Sequence, residues 1–179
     1  MAYHDDLRAL ARELAAGTDQ ARLRRAASTA YYALFHLLIA EAAGNWTRSR
    51  FRARIGRCFD HGPMKAASEA KMAQIRSTFQ RPRPVGEERV DLHLWTVANT
   101  FVQAQQLRNQ ADYNLEADLY PVAFNELVDA VEQAFEAWYE IREEDSAQEY
   151  LVSLFGAREK RPNDQKQPPG RPAPGATQP

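Results

Sequence analysis

The stretch from Ala26 to Ala43 constrains the fold more than any other part of the chain. Written on a helix, it is apolar or aromatic on almost every side. A helix of that kind is buried on most of its faces, so other helices must surround it. We interpret it as a buried helix and not as a membrane span, because Ser28, His36 and Glu41 interrupt the apolar run.

The rest of the chain favours helices as well. Gly and Pro are scarce until the end, and no strand-like alternation appears. The sequence therefore predicts an all-α protein, an antiparallel helical bundle of about five to six helices. Its second and fifth helices are expected at the centre. We expect helices at about 5–16, 19–43, 47–60, 63–79, 88–113 and 121–145, with a continuation over 146–155.

Capping residues and breakers set the predicted boundaries. Thr18 is expected to cap the second helix and Thr47 the third. Residues 80–86 read as an exposed loop. The bundle domain is assigned to residues 1–155, and the Pro- and Gln-rich residues 156–179 to a disordered tail.

Arg108 lies on the apolar stripe of the fifth predicted helix. A guanidinium keeps its charge at any accessible pH, so it requires an acidic partner, a wet cleft or a subunit interface. An ion pair with Asp112, one turn further on, is the simplest solution; a functional site is the alternative. The stripe contains Val97, Phe101, Ala104, Arg108, Ala111 and Leu115.

Charge is distributed unevenly although the net charge is only −1. Residues 1–83 hold 15 Lys and Arg against 7 Asp and Glu, whereas residues 84–155 hold 3 against 15. The tail holds 5 against 2. The basic half is suited to phosphate, to the acidic half of another copy, or to the acidic half of its own chain.

Arginines crowd the third predicted helix. Guanidinium groups suit phosphate because they present a planar fork of donors. Arg50, Arg54 and Arg57 are therefore candidate RNA-binding residues, although a charged outer face is also ordinary for a surface helix. The segment contains Arg48, Arg50, Arg52, Arg54 and Arg57.

Several function classes lack their usual motifs. A single cysteine, Cys58, excludes an internal disulfide, and with His61 it is too little for a zinc site. There is no P-loop, dinucleotide fingerprint or nucleophile elbow, so we expect no cofactor and no metal. The amino terminus does not read as a signal peptide, which predicts a cytoplasmic protein without a membrane segment.

Tyr32 and His36 lie one turn apart on the second helix and need hydrogen-bond partners if buried. His36 is either a satisfied core histidine or part of a site that faces Arg108.

Two segments together resemble HEPN domains, the higher eukaryotes and prokaryotes nucleotide-binding family. Residues 26–36, AASTAYYALFH, resemble the first core helix of that family, and residues 108–113, RNQADY, resemble the end of a later core helix. Residues 59–65 are similar to a linker in some small bacterial members. The resemblance covers roughly residues 5–145. It implies a four-to-five-helix bundle that often dimerises through its central helices, and many members are metal-independent ribonucleases of toxin–antitoxin and phage-defence systems.

The family site implied by the resemblance is an Arg, a polar residue, and a His four to six positions after the Arg. Arg108 and Asn109 fit the beginning of this pattern, but Tyr113, Asn114 and Leu115 stand where the His is expected. A phenol with a pKa near 10 exchanges protons poorly at neutral pH. Leu115 also stands where some members carry a Tyr that a partner nucleotidyltransferase modifies.

The residues and the resemblance together predict a homodimeric, RNA-associated protein of a toxin–antitoxin or defence system, with ribonuclease activity as its candidate reaction. Arg108, Tyr113 and His36 are the candidate catalytic residues, Asn109 a phosphate ligand, and Asp112 and Tyr32 supporting residues. One alternative is a non-catalytic module that binds a partner protein, such as a nucleotidyltransferase or an antitoxin. Another is a nucleotide-binding regulator that uses the same cleft.

Overall fold

The structure, a computed structural model, describes residues 2–79, 86–114 and 120–156. These residues form seven α-helices and no strand, which confirms the predicted all-α bundle. The loop predicted over 80–86 and the tail predicted over 156–179 lie outside the described residues, apart from Gly86 and Gly156. The helices are α1 (Tyr3–Ala15), α2 (Gln20–Gly44), α3 (Arg52–Gly56), α4 (His61–Thr78), α5 (Glu87–Tyr113), α6 (Pro121–Ile141) and α7 (Asp145–Ser153).

Helix α2 is the centre of the bundle. It contacts α1, α3, α5, α6 and α7, and its buried residues occupy most of its circumference. Helix α5 contacts α2, α4 and α6, so the predicted central pair is confirmed. No helix among the described residues is both long enough and apolar enough to cross a membrane.

The core lies where α2, α5 and α6 meet. Its largest fully buried side chains are aromatic, and Tyr150 of α7 satisfies its hydroxyl with Ser68 of α4, at 2.8 Å between the two oxygens. This hydrogen bond joins α4 to α7. The largest fully buried aromatic side chains are Trp138, Tyr31, Tyr150, Phe101, Phe124 and Phe135.

Both predicted caps differ from the structure, since Phe51 and not Thr47 precedes α3. The cap of α2 is Asp19, whose carboxylate accepts a 2.9 Å hydrogen bond from the backbone N–H of Arg22, and not Thr18. The prediction of one helix over residues 47–60 is wrong as well. That segment forms a 3-10 turn over Ser49–Phe51 followed by the five-residue α3.

The physical reason for the short α3 lies at Asp60. Its backbone is extended, and its carboxylate accepts a 2.7 Å hydrogen bond from the backbone N–H of His61. Because Asp60 caps α4, the chain must leave the helical conformation before residue 60. Helix α4 consequently begins at His61, and Pro63 falls in its first turn, where the missing N–H costs nothing.

Candidate functional site

Arg108 projects from α5 toward α2. Ala104 and Ala111, one turn before and after it, are buried, and the Arg108 side chain itself is only 17% exposed. Its Nη2 donates a 3.1 Å hydrogen bond to the Tyr32 hydroxyl, and its Nη1 donates a 3.0 Å hydrogen bond to the Asn109 side-chain oxygen. The arginine thus lies at the edge of the core and not deep inside it.

The ion pair that the helical spacing suggests is present. Arg108 Nε lies 2.8 Å from Asp112 Oδ2, although the N–H is not aligned for a regular hydrogen bond. Ser28 of α2 donates a 2.6 Å hydrogen bond to Asp112 Oδ1, which holds the carboxylate in place. Burial acts to lower the pKa of Arg108, but Tyr32 and Asp112 outweigh it and raise the pKa. Arg108 therefore stays cationic.

Three tyrosine rings surround the guanidinium. Its central carbon lies 6.0 Å from the ring centroid of Tyr31, 5.6 Å from that of Tyr32 and 5.7 Å from that of Tyr113. Tyr31 is fully buried, whereas Tyr113 is 75% exposed. The cation therefore lies between a buried aromatic wall and one aromatic ring that solvent and ligands can reach.

His61 joins these side chains from the beginning of α4. We call the group the Arg108 cluster; it consists of Arg108, Asp112, Tyr31, Tyr32, Tyr113 and His61. Its Nδ1 lies 2.6 Å from the Tyr31 hydroxyl oxygen, and its ring centroid lies 4.5 Å from that of Phe35 and 6.0 Å from that of Tyr32. Gln105, one turn before Arg108, donates a 3.2 Å hydrogen bond to the His61 backbone oxygen. Burial first, and then the charge of Arg108, lower the pKa of His61.

Sequence reasoning considered His61 only as a zinc ligand and missed this position. The family pattern expects the histidine shortly after Arg108 in the chain, whereas the structure brings His61 in from α4. The signal in the sequence was the similarity of residues 59–65, which contain His61, to a family linker.

His36 lies one turn beyond Tyr32 on α2. Its ring stacks with Tyr32 at 6.2 Å between centroids and meets the edge of Tyr3 at 5.0 Å. Burial first, and then the neighbouring His4 and His61, lower the pKa of His36. Among the described residues, no hydrogen bond or ion pair joins His36 to Arg108.

The arginines around α3 form a separate surface, which we call the α3 arginine surface. All of them are exposed, and none forms an ion pair with a carboxylate in the described part of the chain. Trp46, beside them, is 50% exposed, and its backbone oxygen accepts a 3.0 Å hydrogen bond from Arg52 Nε. The surface consists of Arg48, Arg50, Arg52, Arg54 and Arg57.

This surface adjoins the Arg108 cluster along the chain. Only four residue steps separate Arg57 from His61, a span of at most about 14 Å for a fully extended chain. The α3 arginine surface therefore ends within about 14 Å of His61, which packs against the same two rings, Tyr31 and Tyr32, as Arg108 does.

Metal ligands are not gathered anywhere in the described part of the chain: no group of three or more His, Cys, Asp or Glu side chains is arranged to hold a metal ion there. No family model matches the chain, and neither a curated protein nor a solved structure matches it. The geometry of the site and the resemblance of residues 26–36 and 108–113 are the grounds for a functional proposal.

Proposed function

We propose that this chain is a cytoplasmic HEPN-type protein that binds RNA, with Arg108 as its phosphate anchor. The observation that carries the proposal is the α3 arginine surface, whose charges have no carboxylate partner in the described part of the chain and which begins four residues from the cluster around Arg108. Uncompensated arginines are suited to phosphate because binding releases the counterions condensed on the nucleic acid. The protein would act in a toxin–antitoxin or phage-defence system, as a homodimer.

Arg108 retains the capacity to bind a phosphate. A guanidinium has five N–H donors, and the hydrogen bonds to Tyr32 and Asn109 use one on each terminal nitrogen. The second N–H of each terminal nitrogen has no partner among the described residues. A phosphate oxygen held there would lie beside the exposed ring of Tyr113, which offers a stacking surface for an unpaired base.

Metal-independent cleavage is the reaction we propose for this site. The ribose 2′-oxygen attacks the adjacent phosphorus, the O2′–P bond forms, and the P–O5′ bond breaks. The 2′-hydroxyl loses its proton to a base, the departing 5′-oxygen gains one, and the products carry a 2′,3′-cyclic phosphate and a 5′-hydroxyl. Arg108 would stabilise the negative charge that accumulates on the phosphoryl oxygens.

The test combines binding and cleavage of single-stranded RNA by the full chain in EDTA. Arg108→Ala is compared with Arg12→Ala, an arginine already paired with Asp129 and Glu132 on α6. We expect Arg108→Ala to weaken binding by about tenfold, in line with one lost charge-assisted contact, and to abolish cleavage. Arg12→Ala should change neither.

Wild type that is folded but does not bind RNA would overturn the proposal. Equal binding and equal cleavage by the two variants would also overturn it, because Arg108 would then have no part in the site.

A second candidate function is a non-catalytic module that binds a partner protein, such as a nucleotidyltransferase or an antitoxin. The Arg108–Asp112 pair favours it, because an arginine that is already neutralised and mostly buried can have a structural role alone. In that case folded wild type does not cleave RNA, and Arg108→Ala changes RNA binding no more than Arg12→Ala does.

A further inference from the structure

We propose that His61 is a second phosphate ligand of the Arg108 site, and that it binds the phosphate in its protonated form. This inference rests on the proposed function, since it concerns the same phosphate. It gives the site an imidazole from α4, although α5 lacks a histidine at the expected positions. It also predicts that RNA affinity depends on pH in the range where a histidine titrates.

The first argument is position. His61 and Arg108 contact the same two rings: Tyr31 and Tyr32 lie 6.0 and 5.6 Å from the guanidinium carbon, and 5.6 and 6.0 Å from the centroid of the imidazole. Gln105 ties α5 to the backbone of His61, which fixes the two helices relative to each other. The imidazole is thus held beside the guanidinium by three contacts that do not depend on a ligand.

The second argument is the hydrogen bond with Tyr31. Burial raises the pKa of Tyr31, so the group stays a phenol. In the neutral state, the phenol donates its proton to His61 Nδ1 and Nε2 carries the ring proton; this tautomer is assigned from the bonding partner. When the ring is protonated, Nδ1–H donates to the phenol oxygen instead. Tyr31 therefore supports both charge states of His61 without moving.

The third argument is the balance of charge. The titratable and charged groups that face His61 in the described structure are Tyr31, Tyr32 and His36 from α2, Arg108 from α5, and Asp60 just before it. Without a ligand, burial and Arg108 favour the neutral ring. A phosphate held by Arg108 reverses that balance, because an anion close to the ring favours its protonated form.

The experiment measures binding of a fluorescent single-stranded RNA at pH 5.5 and pH 8.0 at constant ionic strength. We expect wild type to bind about five- to tenfold tighter at pH 5.5, since one added cation contributes a gain of that order. His61→Gln should bind equally at both pH values. His93→Gln is the matched control, because His93 lies 15 residues before Arg108 on α5, about 22 Å along the helix.

A pH dependence of RNA binding that persists undiminished in His61→Gln would overturn the inference. A pH dependence that is lost in His36→Gln but kept in His61→Gln would also overturn it, because His36 would then be the titrating residue. NMR titration gives an independent readout: the pKa of His61 should rise when RNA is added to wild type but not when it is added to Arg108→Gln. The two failures are distinguishable. If Arg108→Gln binds RNA as tightly as wild type at pH 8.0, the proposed function fails. If Arg108→Gln binds more weakly but His61→Gln keeps the pH dependence of wild type, only the role of His61 fails.

Discussion

The α3 arginine surface and the Arg108 cluster use the same side chain in opposite settings. The arginines of the surface are exposed and have no carboxylate partner among the described residues. Arg108 is mostly buried and is held by Asp112, Tyr32, Asn109 and three aromatic rings. A guanidinium held by several partners can orient one phosphate, whereas a set of exposed ones can attract a polyanion of many shapes. The difference suggests one anchor and one guiding surface.

Arg12 shows that an exposed arginine in the basic half of the chain can have carboxylate partners. It pairs with Asp129 at 2.5 Å and Glu132 at 3.1 Å, and so joins α1 to α6. The basic half therefore meets the acidic half within one chain at this point. Around α3 no such compensation occurs in the described residues, which leaves that surface available for an external anion.

The largest effect should follow removal of charge from the surface. The triple variant Arg50→Gln, Arg54→Gln, Arg57→Gln should weaken binding of single-stranded RNA about a hundredfold at 0.1 M salt. The slope of log affinity against log salt should fall by about two, since each lost phosphate contact contributes about 0.7. Fluorescence anisotropy over a salt series measures both quantities.

The matched control for this variant is its own stability. Because the three side chains are exposed, the free energy of unfolding should change by less than about 0.5 kcal/mol. An unchanged salt slope with weaker binding would contradict the guiding role, because the lost affinity would then not come from phosphate contacts.

An intermediate effect is expected on stability, where the mostly buried Arg108 should contribute more than the exposed, paired Arg12. Arg108→Ala leaves the Asp112 carboxylate and the Tyr32 hydroxyl without their partner in a half-buried place, which should cost about 1–3 kcal/mol of unfolding free energy. Arg12→Ala, with a side chain 47% exposed, should cost less than about 1 kcal/mol. Urea denaturation of both variants makes the comparison, and a larger loss for Arg12→Ala would reverse our ranking of the two sites.

Most of the fold could be predicted from the sequence because the spacing of apolar residues indicates directly which helix faces are buried. The apolar circumference of α2 and the stripe of α5 placed both helices at the centre, as the structure has them. Local chemistry was harder to rank: Thr18 and Asp19 are both good caps, and only the backbone geometry chooses Asp19. The prediction of one helix over residues 47–60 was wrong because Asp60 caps α4 and ends the helical pattern before it.

Within the candidate site, only contacts between residues of the same helix could be predicted from the sequence. The pair of Arg108 and Asp112 follows from helical spacing, and the structure contains it. The contact of Arg108 with Tyr32 required knowing which faces of α2 and α5 meet. His61 was missed because its approach depends on how α4 enters the bundle, which no spacing within α5 encodes.

The smallest effect concerns the pH dependence of stability, which should depend on His36 and His61 and not on the α3 arginine surface. Burial lowers the pKa of both His36 and His61 in the folded protein below the unfolded value near 6.5. The unfolded chain therefore binds more protons, so their contribution to stability is full above pH 6.5 and is lost as the pH falls from there through the lower pKa of the folded state. We expect the Tm of the RNA-free protein to fall by no more than a few degrees between pH 7.0 and pH 5.5. The double variant His36→Gln, His61→Gln should reduce this fall, whereas the triple variant of the α3 arginine surface should keep it. Differential scanning fluorimetry measures the change, and an undiminished fall in the double histidine variant would mean that the pH dependence arises from groups other than His36 and His61.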